Sequence, residues 1–470
     1  MSALALPAII QGGMGIAVSD WRLARAVSTR GQLGVVSGTS IDAVFVRRLQ
    51  DGDLGGHVRR AIAAFPLPRL AEQALQRYFK PGGRAPDEPY EAIPMHQQVV
   101  SLAREQLTIL ASFVEVHLAK QGHHGKVGMN LLSKIALPNP ATLYGAMLAG
   151  VDAVLMGAGI PRDIPSLLDK LARHEDARMR LEVEGEAPGA ASWFGISPRA
   201  HWSDAPPAVR RPAFLPIIAS HALATLFARK CPGGVSGFVI EGSTAGGHNA
   251  PPRGGTTLDE RGEPIYGERD VPDLEAIRAL GLPFWLAGGT GRRGALRAAQ
   301  GRGAAGIQVG TLFAYCDESG LDAGLKRSVL ESAARGAVAV RTDPVASPTG
   351  YPFKVVRWDG DTSHGESRPR VCDLGYLRTA YAMPDGRIGY RCASEPVDAF
   401  VRKGGKASET LGRRCLCNAL LANIGMPQRR EDGRVEPPLL TSGDDLANIE
   451  AILGGQTSYT ADDVIAHLTS

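Results

Sequence analysis

The chain's 470 residues exceed what one hydrophobic core of roughly 250 to 300 residues organises, so a large unit and a smaller one are expected. A hydrophobic share of 44% against 21% charged residues excludes a disordered chain. The 52 basic and 48 acidic residues nearly cancel, with no dense basic run, which excludes a nucleic-acid-binding face.

The opening MSALALPAIIQGG has no basic region ahead of an apolar one, and no run of about 20 apolar residues follows it. A cytoplasmic protein without membrane contact is expected. Short apolar runs then recur along the chain: Ile9 with Ile10, LGVV from Leu33, VGMNLL from Val127 and DAVLM from Asp152. PIIAS from Pro216, GFVIE from Gly237, PFWLA from Pro283 and GIQVG from Gly306 complete the set. None alternates as a half-exposed strand would, and Gly-rich turns and helical segments separate them. Strands buried on both faces and joined by helices make a parallel sheet, and eight of them predict an α/β fold, a (β/α)8 TIM barrel.

Val99, Ala103, Leu107, Leu110, Val114 and Leu118 recur at helical spacing and predict one amphipathic helix. The connections 46–124 and 160–213 are too long for simple βα units and are read as insertions or a lid. After Val340 the Pro- and Gly-punctuated RTDPVASPTGYPF marks a boundary near residue 345. The barrel is therefore assigned to 1–345 and a cysteine-containing module to 346–470, where YAMPDGRIGYRC carries a hairpin-type turn.

Three constellations carry chemistry. In LAGGTGRRGALRAAQ, Gly289, Gly291 and Gly294 spell G-x-G-x-x-G, but a dinucleotide site wants an acidic residue about 20 positions on. Gln308, Val309, Gly310 and Thr311 stand there instead. In a barrel, the turns after strands seven and eight commonly hold one phosphate on bare backbone N–H groups, which suits Gly288, Gly289 and the QVGT segment. The bland reading is that these glycines only allow tight turns. The second constellation, EGSTAGGH from Glu241, ends a strand in Gly246 and Gly247, brings backbone close to a flat ligand and projects the His248 imidazole. The third is Cys372, Cys392, Cys415 and Cys417, which either hold zinc or an iron–sulfur cluster or are buried thiols. Cys231 and Cys316 read as reduced thiols, and His123 with His124 as an exposed turn.

Together IIQGGM at 9–14, VGMN at 127–130, EGSTAGGH at 241–248, AGG at 287–289 and QVGT at 308–311 resemble the nitronate monooxygenase (2-nitropropane dioxygenase) family. That family includes flavin-dependent enoyl-acyl-carrier-protein reductases and the enoyl reductases of polyunsaturated fatty acid synthases. The resemblance implies an FMN-binding barrel, with Gly12, Gly13 and Met14 along the isoalloxazine ring and Asn130 and Gly246 beside it. Gly289 and Gln308 to Thr311 would surround the phosphate, and His248 matches the family's catalytic histidine.

Glu241 departs from the Gln that many members carry. GVDAVLMGAGIPRDIP from Gly150 and PIYGERDVPDL from Pro264 are more similar to the enoyl reductase branches, placing Arg162, Asp163, Tyr266 and Arg269 at the substrate mouth. Oxidation of alkyl nitronates with O2 is the first activity implied. Reduction of an enoyl thioester, with NAD(P)H as reductant and an acyl carrier protein as partner, is the second, and a non-catalytic flavin-binding subunit the third. The expected partners are thus a small-molecule or acyl-thioester substrate, an acyl carrier protein and a second copy in a homodimer.

Overall fold

All eight apolar runs form parallel strands in the computed structural model, which describes residues 6–361 and 370–470. In chain order, β1 (Ile9–Gln11), β2 (Gly34–Ser37), β3 (Val127–Leu132) and β4 (Ala153–Gly157) come first. An excursion outside the barrel follows as β5 (Ala177–Leu181), β6 (Val183–Glu184) and β7 (Ser192–Ile196). The chain then returns as β8 (Ala213–Ile218), β9 (Phe238–Glu241), β10 (Phe284–Ala287) and β11 (Gly306–Val309). The sheet order is β1-β11-β10-β9-β8-β4-β3-β2. Gln11 N–H donates to Leu33 O at 2.9 Å and Leu33 N–H to Ile9 O at 3.1 Å, which joins β1 to β2 and closes the ring.

Alternate strand residues explain why the runs are apolar throughout. Ile10, Val35, Leu155, Leu215, Val239 and Trp285 fill the barrel interior. Their neighbours Ile9, Val36, Val154, Phe214, Phe238, Phe284 and Ile307 are buried against the helical layer. Trp285 Nε1–H donates to Pro7 O at 2.9 Å, so the one polar atom of the largest interior side chain is satisfied.

The predicted helix spans Leu102–Lys120, capped by Ser101 Oγ, which accepts from Arg104 N–H at 3.2 Å. It starts later than the spacing suggested: Val99 precedes it and is 82% exposed. It also buries more than one stripe, because the helix Asn139–Leu148 lies so close that a Cβ on Gly145 would stand 2.1 Å from Ile109 O. Residues 46–124 thus supply helical layer rather than a lid, while 160–213 carry the antiparallel β5–β7 pair.

The position read as a boundary falls in the turn between β12 (Val338–Asp343) and β13 (Phe353–Trp358), which pair antiparallel. Farther on, β14 (Thr379–Ala382) pairs antiparallel with β15 (Ile388–Arg391) and parallel with β6. The C-terminal segments cover the barrel's carboxyl end: Lys354 N–H donates to Gly247 O at 2.9 Å and Gly443 N–H to Thr311 Oγ1 at 3.0 Å. A buried ion cluster ties them down. Asp42 accepts from Arg104 at 2.5 Å, from Tyr376 O–H at 2.5 Å and pairs with His96 Nε2 at 3.1 Å. Among the described residues no helix is long and apolar enough to cross a membrane.

Candidate active site

A cavity of about 200 Å³ opens at the carboxyl ends of the strands, under the C-terminal cover. Gly12, Gly13 and Met14, directly after β1, form one wall. The buried Gln11 sets their course: its Oε1 accepts from Val35 N–H at 2.8 Å, and its Nε2 donates to Ser19 Oγ at 2.8 Å. Ser19 Oγ in turn bonds Gly12 O at 3.0 Å and Met14 N–H at 2.9 Å. Gly13 is obligatory by packing, since a Cβ there would stand 2.2 Å from Asn130 Cβ.

Asn130, in β3, donates from Nδ2 to Gly13 O at 3.3 Å, while its Oδ1 is buried without a partner. Gln308 Oε1, in β11, is likewise buried and unpartnered. A buried acceptor left unmade costs about 1–3 kcal/mol, so these two atoms of cavity-lining residues are open to a donor.

The turns after β10 and β11 lie side by side. Gly288 and Gly289 have φ of +89° and +66°, conformations that strain any other residue. Among the described residues their N–H groups, and that of Gly310, make no hydrogen bond. Thr311 lines the same end, and Asp445 accepts from Gly291 N–H at 3.0 Å beside it. Val309 alone of the sequence-derived cofactor residues faces away: its side chain is core, and its carbonyl accepts from Gly12 N–H at 2.8 Å.

Glu241, Gly246, Gly247 and His248, at and after β9, form the remaining wall. Burial pushes the Glu241 carboxyl up to about 8, so at neutral pH it is a carboxylic acid and offers one donor and one acceptor, as glutamine would. The departure from the family's Gln is therefore conservative in charge. Burial, and then Lys134, push His248 down to about 3, leaving a neutral imidazole. Its Nε2 is hydrogen-bonded to Ser347 Oγ at 2.7 Å, and its ring meets Phe353 edge-on at 4.9 Å.

A second cleft of about 1040 Å³ adjoins the cavity through Ala158 and Leu377. Arg162 and Asp163 line it as expected, with Lys134, Arg180, Arg378, Trp193, Tyr351 and Tyr390. Tyr266 and Arg269 do not; Tyr266 O–H bonds Ala250 O at 3.0 Å and Arg269 is exposed.

Cys372, Cys392, Cys415 and Cys417 do converge on one small pocket, together with Leu374, Leu377 and Leu416. All four are free thiols, Cys392 and Cys417 buried and Cys372 and Cys415 half-buried. Among the described residues no three or more His, Cys, Asp or Glu are arranged to hold a metal ion. Cys372 is hydrogen-bonded to Cys392, which with burial raises its pKa, and burial pushes Cys415 up to about 12.

Sequence reasoning missed Lys134, Ser347, Thr349 and the irregular segment 440–443 with Asp445 that lines the cavity. Ser347 and Thr349 lay in the stretch read as a domain boundary. A lone Lys four residues beyond VGMN gave no periodic signal at all.

Fold and site together define a (β/α)8-barrel protein with a glycine-lined cavity at the carboxyl ends of its strands. Over residues 212–346 the chain matches the family described as nitronate monooxygenase, a span that holds the EGSTAGGH, AGG and QVGT motifs of the resemblance. It is 30% identical to a nitronate monooxygenase of Paraburkholderia phytofirmans over 33% of this chain and 42% of that one. A probable nitronate monooxygenase of Bacillus subtilis is 34% identical over 21% of this chain and 27% of that one. The matches thus span less than half the length of either relative. Among solved structures, the enoyl reductase domain of MlnA from Bacillus amyloliquefaciens aligns over 98% of this chain and 93% of that one, at 11% identity and a TM-score of 0.49.

Proposed function

We propose that this chain is an FMN-dependent oxidoreductase that oxidises alkyl nitronates with O2. The observation that carries the reading is the cavity itself, where a neutral, half-buried His248 faces glycine walls and two unpartnered acceptors. These residues fit FMN. Gly12 to Met14 leave room for a flat ring, Asn130 Oδ1 and Gln308 Oε1 await donors, and the N–H groups of Gly288, Gly289 and Gly310 suit a phosphate. FMN, when bound, supplies the electron transfer that no side chain here can perform.

The chain's own residues orient and polarise. His248 steadies the anionic nitro group of a nitronate or removes a proton from a neutral nitroalkane. Glu241 in its acid form places no negative charge beside the electron-accepting ring. The C-terminal cover narrows the cavity, which strengthens each of these interactions.

One observation favours a second reading, reduction of an enoyl thioester with NAD(P)H. The adjoining 1040 Å³ cleft is larger than a small nitro compound needs, and its Arg162, Arg180 and Arg378 suit an elongated anionic substrate such as one delivered by an acyl carrier protein. Anaerobic mixing of the FMN-loaded protein with propyl-2-nitronate or with NADPH separates the two. Rapid loss of oxidised-flavin absorbance with the nitronate alone supports the first reading, and with NADPH alone the second. Protein that takes up no FMN sinks both.

A further inference from the structure

The cavity and the larger cleft are joined by a single file of hydrogen-bonding groups. His248 Nε2 lies 2.7 Å from Ser347 Oγ, Ser347 Oγ lies 2.8 Å from Thr349 Oγ1, and Lys134 Nζ lies 3.0 Å from Thr349 Oγ1. Ser347 is fully buried, so its hydroxyl has no water to turn to. His248 lines the cavity and Lys134 the cleft. We propose that Lys134, acting through Thr349 and Ser347, sets which ring nitrogen of His248 carries the proton and exchanges protons between the cavity and the cleft. The role in turnover rests on the proposed oxidoreductase; the tautomer control does not.

The argument is one of donor counting. An ammonium has only donors, and each hydroxyl has one proton to give. If Lys134 is charged it donates to Thr349, Thr349 donates to Ser347, and Ser347 donates to His248 Nε2. A neutral imidazole that accepts at Nε2 carries its proton on Nδ1, which makes no hydrogen bond among the described residues and is left for the substrate. His248 is then an acid. If Lys134 is neutral its lone pair accepts, every bond in the file reverses, Nε2 donates to Ser347, and Nδ1 presents a lone pair. His248 is then a base.

In the second state a neutral nitroalkane can be deprotonated with full balance. The substrate C–H bond breaks, its electron pair stays on the nitronate, and the proton goes to Nδ1. Nε2 releases its proton to Ser347, Ser347 to Thr349, and Thr349 to Nζ, so the net change is one proton from substrate to Lys134.

The surroundings permit both states. Lys134 sits over the Tyr351 ring, and burial pushes its pKa down to about 6. The other titratable and charged groups along its cleft are His96, Arg162, Asp163, Arg180, Glu182, Glu186, Arg378, Tyr376 and Tyr390. None of them contributes resolvably to the shift of Lys134, and Lys134 is the one charge that acts on His248.

The test uses FMN-loaded protein labelled with 15N-histidine, His248 being assigned from the signal lost in His248→Asn. Nitrogen shifts should report Nδ1–H at about pH 5 and Nε2–H at about pH 8 in the parent, the span in which histidine chemistry is usually set. Lys134→Met should hold one tautomer across that range, and Thr349→Val, which cuts the file without touching the lysine, should do the same. A parent without the change, or a Lys134→Met protein that keeps it, overturns the proposal. In turnover, both variants should slow a neutral nitroalkane about tenfold or more, a larger loss than with propyl-2-nitronate, and the double variant should add little further. Equal losses on both substrates would make Lys134 a structural residue and overturn the relay. Failure of the parent to oxidise either nitro substrate sinks the nitronate reading instead, while the nitrogen shifts still decide the file.

Discussion

Two buried polar groups sit within the same barrel mouth and are built on opposite principles. Around Asp42 every partner is present: Arg104, His96, Tyr376 and Thr108 converge on one carboxylate, and although burial alone would raise its pKa, they hold it well below the usual range. Around the cavity the groups are held apart from counter-charges. Glu241 has been pushed up, and His248 and Lys134 down, by burial first. A complete cluster has nothing left to offer a ligand and serves the fold, whereas an incomplete one retains groups whose protonation a substrate can change.

The largest expected effect lies on the complete side. Asp42→Ala leaves the Arg104 guanidinium buried without its carboxylate, and breaking a buried pair in this way costs about 3–5 kcal/mol. Urea unfolding should show that loss, together with release of the C-terminal cover through Tyr376. A loss below about 1 kcal/mol would mean the cluster is solvated and the comparison is wrong.

His248→Asn should do the reverse, keeping the fold and FMN while turnover of a neutral nitroalkane falls about 10²-fold. It should also alter acid stability. With a folded pKa near 3 against an ordinary 6.5, His248 binds its proton more readily in the unfolded chain, so its contribution is whole above about pH 6.5 and is lost as pH falls toward 3. The variant lacks that part of the slope. Next in size is Gly13→Ala, whose methyl must displace Asn130; FMN affinity should fall roughly tenfold or more, read by flavin fluorescence, and the overpacking should cost about 1–3 kcal/mol in urea unfolding.

How far the sequence foretold this contrast depends on range. The strands were legible because burial on both faces writes itself as uninterrupted apolar runs; Gly246 and His248 followed from their place at a strand end, whereas Gly12, Gly13 and Asn130 came only with the family resemblance of their motifs. The relay and the cover were not legible. Lys134 meets Thr349 across 215 positions and Asp42 meets Tyr376 across 334, and no local pattern encodes either meeting. The Pro-rich turn around Ser347 read as a boundary for the same reason: its composition reports a break in regular structure, and only packing shows that it runs back along the loop after β9.

Glu241→Gln is the smallest change and tests the incomplete side most directly. If the acid is protonated at neutral pH, the amide reproduces its shape, donor and acceptor, so FMN affinity and turnover at pH 7 should stay within about twofold. The difference emerges in alkali. With a folded pKa near 8 against an ordinary 4.5, the folded chain binds the proton more tightly, so the stability linked to Glu241 is whole below about pH 4.5 and declines as pH rises to 8. At pH 9 about 90% of the site would be ionised, and if only the acid form accepts FMN, parent affinity falls about tenfold there. Glu241→Gln should bind FMN equally at pH 7 and 9 and show no such decline in stability. A parent whose affinity is flat to pH 9 would mean that a charged Glu241 is tolerated beside the ring, and the cavity would then be a solvated site rather than one held incomplete by burial.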